Sequence, residues 1–265
     1  MTKDVRPAAV AGTFYPGRAD RLRKDVEIML AEAPVVESGV APRILIVPHA
    51  GYVYSGTVAA TGYRLLVAEP PSRIGLIGPS HYVGFAGLAA PSHAALGTPL
   101  GLIDLDPMVD DLVRSGLAIR SENAHRREHS LEVQLPFTQT IAPDAALVAL
   151  LTGDEDPAPS YVAISALLDA SVTVLISSDL SHYLDHDSAK KLDGRTAESI
   201  VKLRESELDR SSACGRTAVR GALMAAAERG WAAQLLDLRT SGDTAGPKDR
   251  VVGYGAFVIG PRPSG

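Results

Sequence analysis

Three apolar runs in this chain end in polar residues that include a histidine: ILIVPH at His49, IGLIGPSH at His81 and VTVLISSDLSH at His182. Imidazole is the commonest metal ligand and an acid or base near neutral pH. Asp179 adds a carboxylate beside the third histidine, and Cys214, the single cysteine among 265 residues, adds a thiolate. Three protein ligands with positions left for water, oxygen or substrate are a common arrangement for a catalytic metal. Taken singly, each residue has a plainer reading. A histidine after a strand serves as a hydrogen-bonding loop residue, and a lone cysteine packs as a small hydrophobe. Their joint occurrence makes a shared metal or catalytic site the sharper alternative.

His125, Arg126, Arg127, Glu128 and His129 match the H-x-x-E-H signature of one class of zinc peptidase. On a single helix the two histidines would share a face, with Glu128 near a bound water. Only three positions are specified, so His125, Arg126 and Arg127 read as solvated residues, and His129 and Glu132 as pocket residues. His186, set between Asp185 and Asp187, reads as an exposed salt-bridging group. Tyr15, Tyr52, Tyr54 and Tyr183 are candidates for a pocket wall, with packing the expected role of at least two. The chain has no serine-hydrolase elbow and no glycine-rich nucleotide loop.

A parallel sheet brings such residues together, because it gathers the C-terminal ends of its strands at one edge. Residues 43–47, 74–77 and 172–176 read as short buried strands, and residues 145–151 and 251–259 as two more. Helical periodicity runs through residues 19–33, 55–68, 161–168, 188–207 and 217–229, with a shorter amphipathic stretch at 106–115. Residues 85–90 suggest another strand, residues 129–141 fit neither period cleanly, and residues 241–248 read as a mobile loop. Strands alternating with helix-sized intervals predict an α/β fold, a single domain over residues 1–265. Its expected form is a layered α/β/α arrangement around a central largely parallel or mixed sheet.

A hydrophobic content of 46% supports a sizeable core. The net charge of -5, from 26 basic and 31 acidic residues without a basic block, argues against nucleic acid as a partner. No stretch approaches the roughly 18 apolar residues of a membrane span. One cysteine makes no internal disulfide, and a cytoplasmic location is expected.

Six stretches taken in order carry a resemblance over nearly the full length: VRPAAVAGTFYPG (5–17), VPHAGYVYSG (47–56), GPSH (78–81), EHSLEVQLPF (128–137), SSDLSHY (177–183), and Cys214-Gly215 with GYG at 253–255. They resemble the Memo family, also known as protein B of the AmmeMemoRadiSam system. The resemblance implies a fold similar to the class III, LigB-type extradiol dioxygenases, in which non-haem iron activates oxygen. It further implies metal ligands at His49, His81 and Cys214, with Asp179 and His182 lining the same pocket. In this family the telling unit around Glu128 is EHSLE, which does not require His125. Those dioxygenases hold iron with two histidines and a glutamate, whereas the third ligand here is a softer thiolate suited to Fe(II), Cu(I) or Zn.

The expected function is that of a metal-binding protein, with Fe(II) ahead of Cu or Zn, acting as a non-haem iron-dependent oxidoreductase or dioxygenase-like enzyme on a substrate the sequence does not name, a small organic molecule or a group attached to a partner. His182 or His129 would serve as general base or acid, and Asp179 would orient a ligating histidine. The alternative is a noncatalytic protein that binds a peptide or a partner, such as a radical-SAM component of the same system, through an oxygenase-like pocket.

Overall fold

The computed structural model describes residues 4–153 and 156–263. Twelve strands occur among the described residues. They are Val5–Arg6 (β1), Ile44–Val47 (β2), Arg73–Pro79 (β3), Leu88–Ala90 (β4), Ala95–Thr98 (β5), Gly101–Asp104 (β6), Ala118–Arg120 (β7), Ala146–Thr152 (β8), Thr173–Ser177 (β9), His182–Leu184 (β10), Ala232–Thr240 (β11) and Val251–Gly260 (β12). The helices are Ala19–Glu32 (α1), Tyr52–Tyr63 (α2), Met108–Arg114 (α3), Glu122–Arg126 (α4), Leu135–Ile141 (α5), Ala158–Asp169 (α6), His186–Val201 (α7), Arg216–Glu228 (α8) and Ser241–Thr244 (α9).

The main sheet runs β10-β12-β2-β9-β3-β8-β4-β7, with β11 added along β12, and a separate small sheet holds β1, β5 and β6. Its centre is parallel: β2 with β9, β9 with β3, and β3 with β8. Antiparallel pairing flanks this centre, β12 with β2 on one side and β4 with β8 on the other, so the sheet is mixed.

The central strands are continuously apolar because both faces are covered. On β2, Leu45 and Val47 enter one core while Ile44 and Ile46 enter the other. The first core is completed by Leu22, Val26 and Met29 of α1, Tyr63 of α2 and Phe137 of α5. The second takes Val109 of α3, Ile164 and Leu167 of α6, Ile200 of α7 and Leu223 of α8. The result is a single-domain α/β fold with helices on both faces of a mixed sheet. No helix among the described residues is long and apolar enough to cross a membrane.

Helix α2 begins three residues earlier than the periodicity suggests. Gly56 lies inside the helix at a close contact, where an added Cβ would stand 2.4 Å from Met29 Sδ of α1. Residues 241–248, expected as a loop, open with α9. There Thr240 and Asp243 form a reciprocal capping box that satisfies the first amides of the turn.

Candidate metal centre

The register of three neighbouring strands builds the site. Val47 of β2 lies opposite Ser177 of β9, and Ile77 of β3 lies opposite Ile176, so the strands reach one edge together. His49, His81 and Asp179 each follow their strand by two residues. Cys214 arrives from a distant part of the chain, immediately before the N-cap of α8. Gly215 permits this approach, since an added Cβ would stand 2.7 Å from Ser178 Cβ and 2.8 Å from the Ser177 carbonyl. The donor atoms of His49, His81 and Cys214 consequently lie within 4.8 Å of one another.

Hydrogen bonds determine which atoms of the two histidines face this point. Ser177 donates its hydroxyl proton to the Ser130 carbonyl at 2.5 Å, leaving its oxygen to accept from Gln134 Nε2 and from His49 Nδ1, each at 2.9 Å. His49 therefore carries its proton on Nδ1, and its Nε2 lone pair faces Cys214 Sγ at 3.3 Å, where it can accept from the thiol. His81 Nδ1 lies 2.9 Å from Glu128 Oε1 and must likewise donate, because a carboxylate only accepts. Both imidazoles thus present Nε2 as a donor atom. Such hydrogen bonds to the remote nitrogen fix the tautomer of metal-binding histidines.

A second set of donors, His81, Glu128 and His129, is equally compact. Its carboxylate is already committed. Glu128 Oε1 accepts from His81 Nδ1 and from the amides of His129 and Ser130, and Oε2 accepts from the His81 amide at 2.6 Å. Glu128 is therefore a support for His81. Burial opposes its charge, but the bonds from His81 and the main chain outweigh that and lower its pKa to about 2.

Without a cation His49 is neutral and Cys214 is a thiol, and the two face each other at 3.3 Å. Burial, reinforced by the facing His81, lowers the pKa of His49 to about 3. Burial and the nearby Asp179 carboxylate drive the Cys214 thiol pKa far up, although the Asp179 amide points at Sγ from 3.2 Å. A metal ion would convert the thiol to thiolate, and burial already keeps the imidazole in the neutral form that a metal requires. The donor set fits a transition metal on these grounds.

His49 and His81 also line a cleft of about 530 Å³, together with His129, Asp179 and His182, while Cys214 lies behind its wall. His182 Nδ1 donates to the Leu180 carbonyl at 2.8 Å, so its Nε2 is the free acceptor. His129 stacks on His81 with centroids 4.6 Å apart and planes 17° from parallel. Burial and the adjacent His49 bring its pKa down to about 4. Asp179, expected to orient a ligating imidazole, accepts instead from the main-chain amide of His49 at 2.7 Å, while Ser177 orients the ring. Burial raises the pKa of Asp179 against that hydrogen bond.

Residues 6–258 match the sequence profile of the Memo-like protein family. The chain belongs to that family. It is 34% identical to a MEMO1 family protein of Methanopyrus kandleri, over 96% of this chain and 98% of the relative. A MEMO1 family protein of Sulfurisphaera tokodaii is also 34% identical, over 94% and 97% of the two chains. One from Archaeoglobus fulgidus is 31% identical, over 96% and 99%.

Two other motifs of this Memo-like chain turn out to be structural. Glu132, expected in the pocket, is buried elsewhere, where it accepts from Arg6 Nη1 and the Ala9 amide at 2.7 Å, Tyr15 Oη at 2.6 Å and the Val10 amide at 2.9 Å. Arg6 also donates to the carbonyls of His125 and Glu128, tying the N-terminal segment to the loop that supports His81. His125, expected in solvent, is 3% exposed. Its Nε2 donates to the Ala89 carbonyl at 2.9 Å, and α4 ends at Arg126, so it shares no helix face with His129. Arg126 and Arg127 are exposed as expected. His186 pairs with Asp243 at 2.7 Å but is mostly buried. Of the four tyrosines, Tyr54 and Tyr183 line the cleft, while Tyr15 and Tyr52 are packed inside.

Glu128 and Ser177, which set the tautomers, sit inside stretches that the sequence reading singles out, but their roles do not follow from residue type. What sequence spacing lacks is the pairing of β2, β9 and β3, which puts Ser177 beside His49.

Proposed function

We propose that this Memo-like protein is a metal-dependent oxidoreductase in which His49, His81 and Cys214 hold ferrous iron and a small organic substrate occupies the cleft above it. The observation that carries this reading is the pair of histidines held with Nε2 as the donor atom, converging with the single cysteine beside a substrate-sized cavity that both histidines line. The resemblance to the class III extradiol dioxygenases favours iron over Cu or Zn. Bound iron supplies one-electron and oxygen chemistry that no side chain offers.

The protein's own residues do the rest. Ser177 and Glu128 hold the imidazoles in place, and the cleft sets the substrate against them, removing the orientational cost of a bimolecular encounter. His182 is the better placed proton acceptor, with Nε2 free in the cleft. His129, with its lowered pKa, shields His81 and takes a proton less readily. A small molecule is favoured over a phosphorylated peptide because, among the described residues, a single arginine and no lysine lines the cleft.

The test is anaerobic purification, determination of the native metal, and oxygen uptake with a panel of small organic acids and phenols. Iron in stoichiometric amount and uptake lost in the His49, His81 and Cys214 variants is the expected result. A filled but inert site, or peptide binding without metal, contradicts the enzyme reading and supports a noncatalytic partner protein.

A further inference from the structure

His49 and His81 account for one part of the cleft but not for its mouth. Arg250 lines the cleft and places its guanidinium carbon 4.7 Å from the centroid of the Tyr183 ring. No carboxylate pairs with it among the described residues. Arg73, Arg229 and Arg239, by contrast, are held in ion pairs. Other arginines, Arg43 and Arg127 among them, also lack an ion pair among the described residues, but Arg250 is the one that lines the cleft.

Tyr183 adds an independent observation. Its φ of 63° lies in the left-handed region, at an irregularity in the β10–β12 pairing between His182 and Leu184. A bulky residue there carries a backbone strain that glycine would not incur. What tyrosine supplies is its ring, 63% exposed at the cleft mouth beneath Arg250. Backbone strain of this kind gathers at ligand clamps.

We propose that Arg250 and Tyr183 form the anion-recognition subsite of the cleft, selecting a small carboxylate monoanion with a flat apolar body whose far end reaches the metal centre. The last clause rests on the metal-centre reading; the subsite itself does not need the metal. A guanidinium stacked on an aromatic face is pre-oriented, with its N–H fork turned edge-on for bidentate contact with a carboxylate. Charge count selects carboxylate over phosphate. Arg250 is the single Lys or Arg among the lining residues, and Asp179 at the floor opposes a dianion. Phe14, Tyr54 and Tyr82 supply aromatic wall for a flat body.

The experiment is calorimetric titration of benzoate, benzamide and phenyl phosphate into the full chain, as wild type, Arg250→Gln and Tyr183→Gly, with and without bound cobalt. Metal content and thermal stability are measured in parallel. Benzoate is expected to bind in preference to both other probes. Arg250→Gln should weaken benzoate by about tenfold or more, the loss that follows removal of a charge-assisted hydrogen bond, and leave benzamide unaffected. Tyr183→Gly should lose benzoate affinity while melting no lower than wild type, because the φ strain is relieved. Both variants should bind metal as wild type does. Undetectable benzoate binding, equal binding of benzamide, or an unaffected Arg250→Gln variant would overturn the subsite. Preference for phenyl phosphate would overturn its carboxylate selectivity. Failure of the wild type to bind metal, with benzoate discrimination intact, sinks the metal reading and leaves the subsite standing.

Discussion

A serine and a glutamate decide what the two cleft histidines offer. Ser177 has one proton and gives it to the Ser130 carbonyl, so His49 has no choice of tautomer. Glu128 makes the same decision for His81 and also accepts three main-chain amides, those of His81, His129 and Ser130. A Glu128→Gln substitution keeps the shape but turns one of these acceptors into a donor that faces N–H groups. Loss of such a supporting group typically costs about 10–100-fold in metal affinity. Competition with a chromophoric chelator should show a decrease of that size, and an unchanged affinity would mean that His81 is oriented by something else.

At the scale of elements, the short helix α4 carries a test that does not involve the metal. His125 is buried neutral, its pKa lowered by burial to about 4 from the ordinary histidine value of about 6.5. The unfolded chain therefore binds the proton first as pH falls, and stability is full above 6.5 and lost progressively down to about 4. The upper limit of this loss is on the order of 3 kcal/mol. Gln in place of His125 retains a donor toward Ala89 but does not titrate. Urea unfolding of the metal-free protein at pH 7 and pH 4.5 should show a smaller loss for His125→Gln than for wild type. Equal losses would place the titration elsewhere.

The elements that hold the ligands were legible for a physical reason. Strands β2, β3 and β9 are covered on both faces, so each is short and carries an apolar centre, ILIV, IGLI and VLI, followed closely by Pro, Gly or Ser. Strand β11 is missing from the sequence reading because it is half-exposed along most of its length and mixes Ala, Gln and Asp. The β5–β6 hairpin hides behind Gly97, Pro99 and Gly101, which read as loop. The same limit explains Glu132 and His125. Both lie in a polar stretch that looks solvated or functional, and only the long-range approach of Arg6 and β4 reveals them as buried anchors.

Across the whole molecule, the centre joins segments more than a hundred residues apart, since His49 meets Ser177 and Cys214. A ligand that binds only the folded chain stabilises it, by about 2.7 kcal/mol at a hundredfold excess over the dissociation constant. Added metal should raise the melting temperature of the wild type and leave a His81→Ala variant unmoved. A shift of equal size in both would place the metal elsewhere. The most direct measurement is a cobalt(II) titration of the metal-free protein followed by near-ultraviolet absorption, because the chain has one cysteine and any thiolate-to-metal band must come from it. A charge-transfer band that saturates at a single equivalent of cobalt and is absent in Cys214→Ser is the predicted result. Stoichiometric cobalt binding with no such band would contradict the assignment of Cys214, and with it the three-ligand centre.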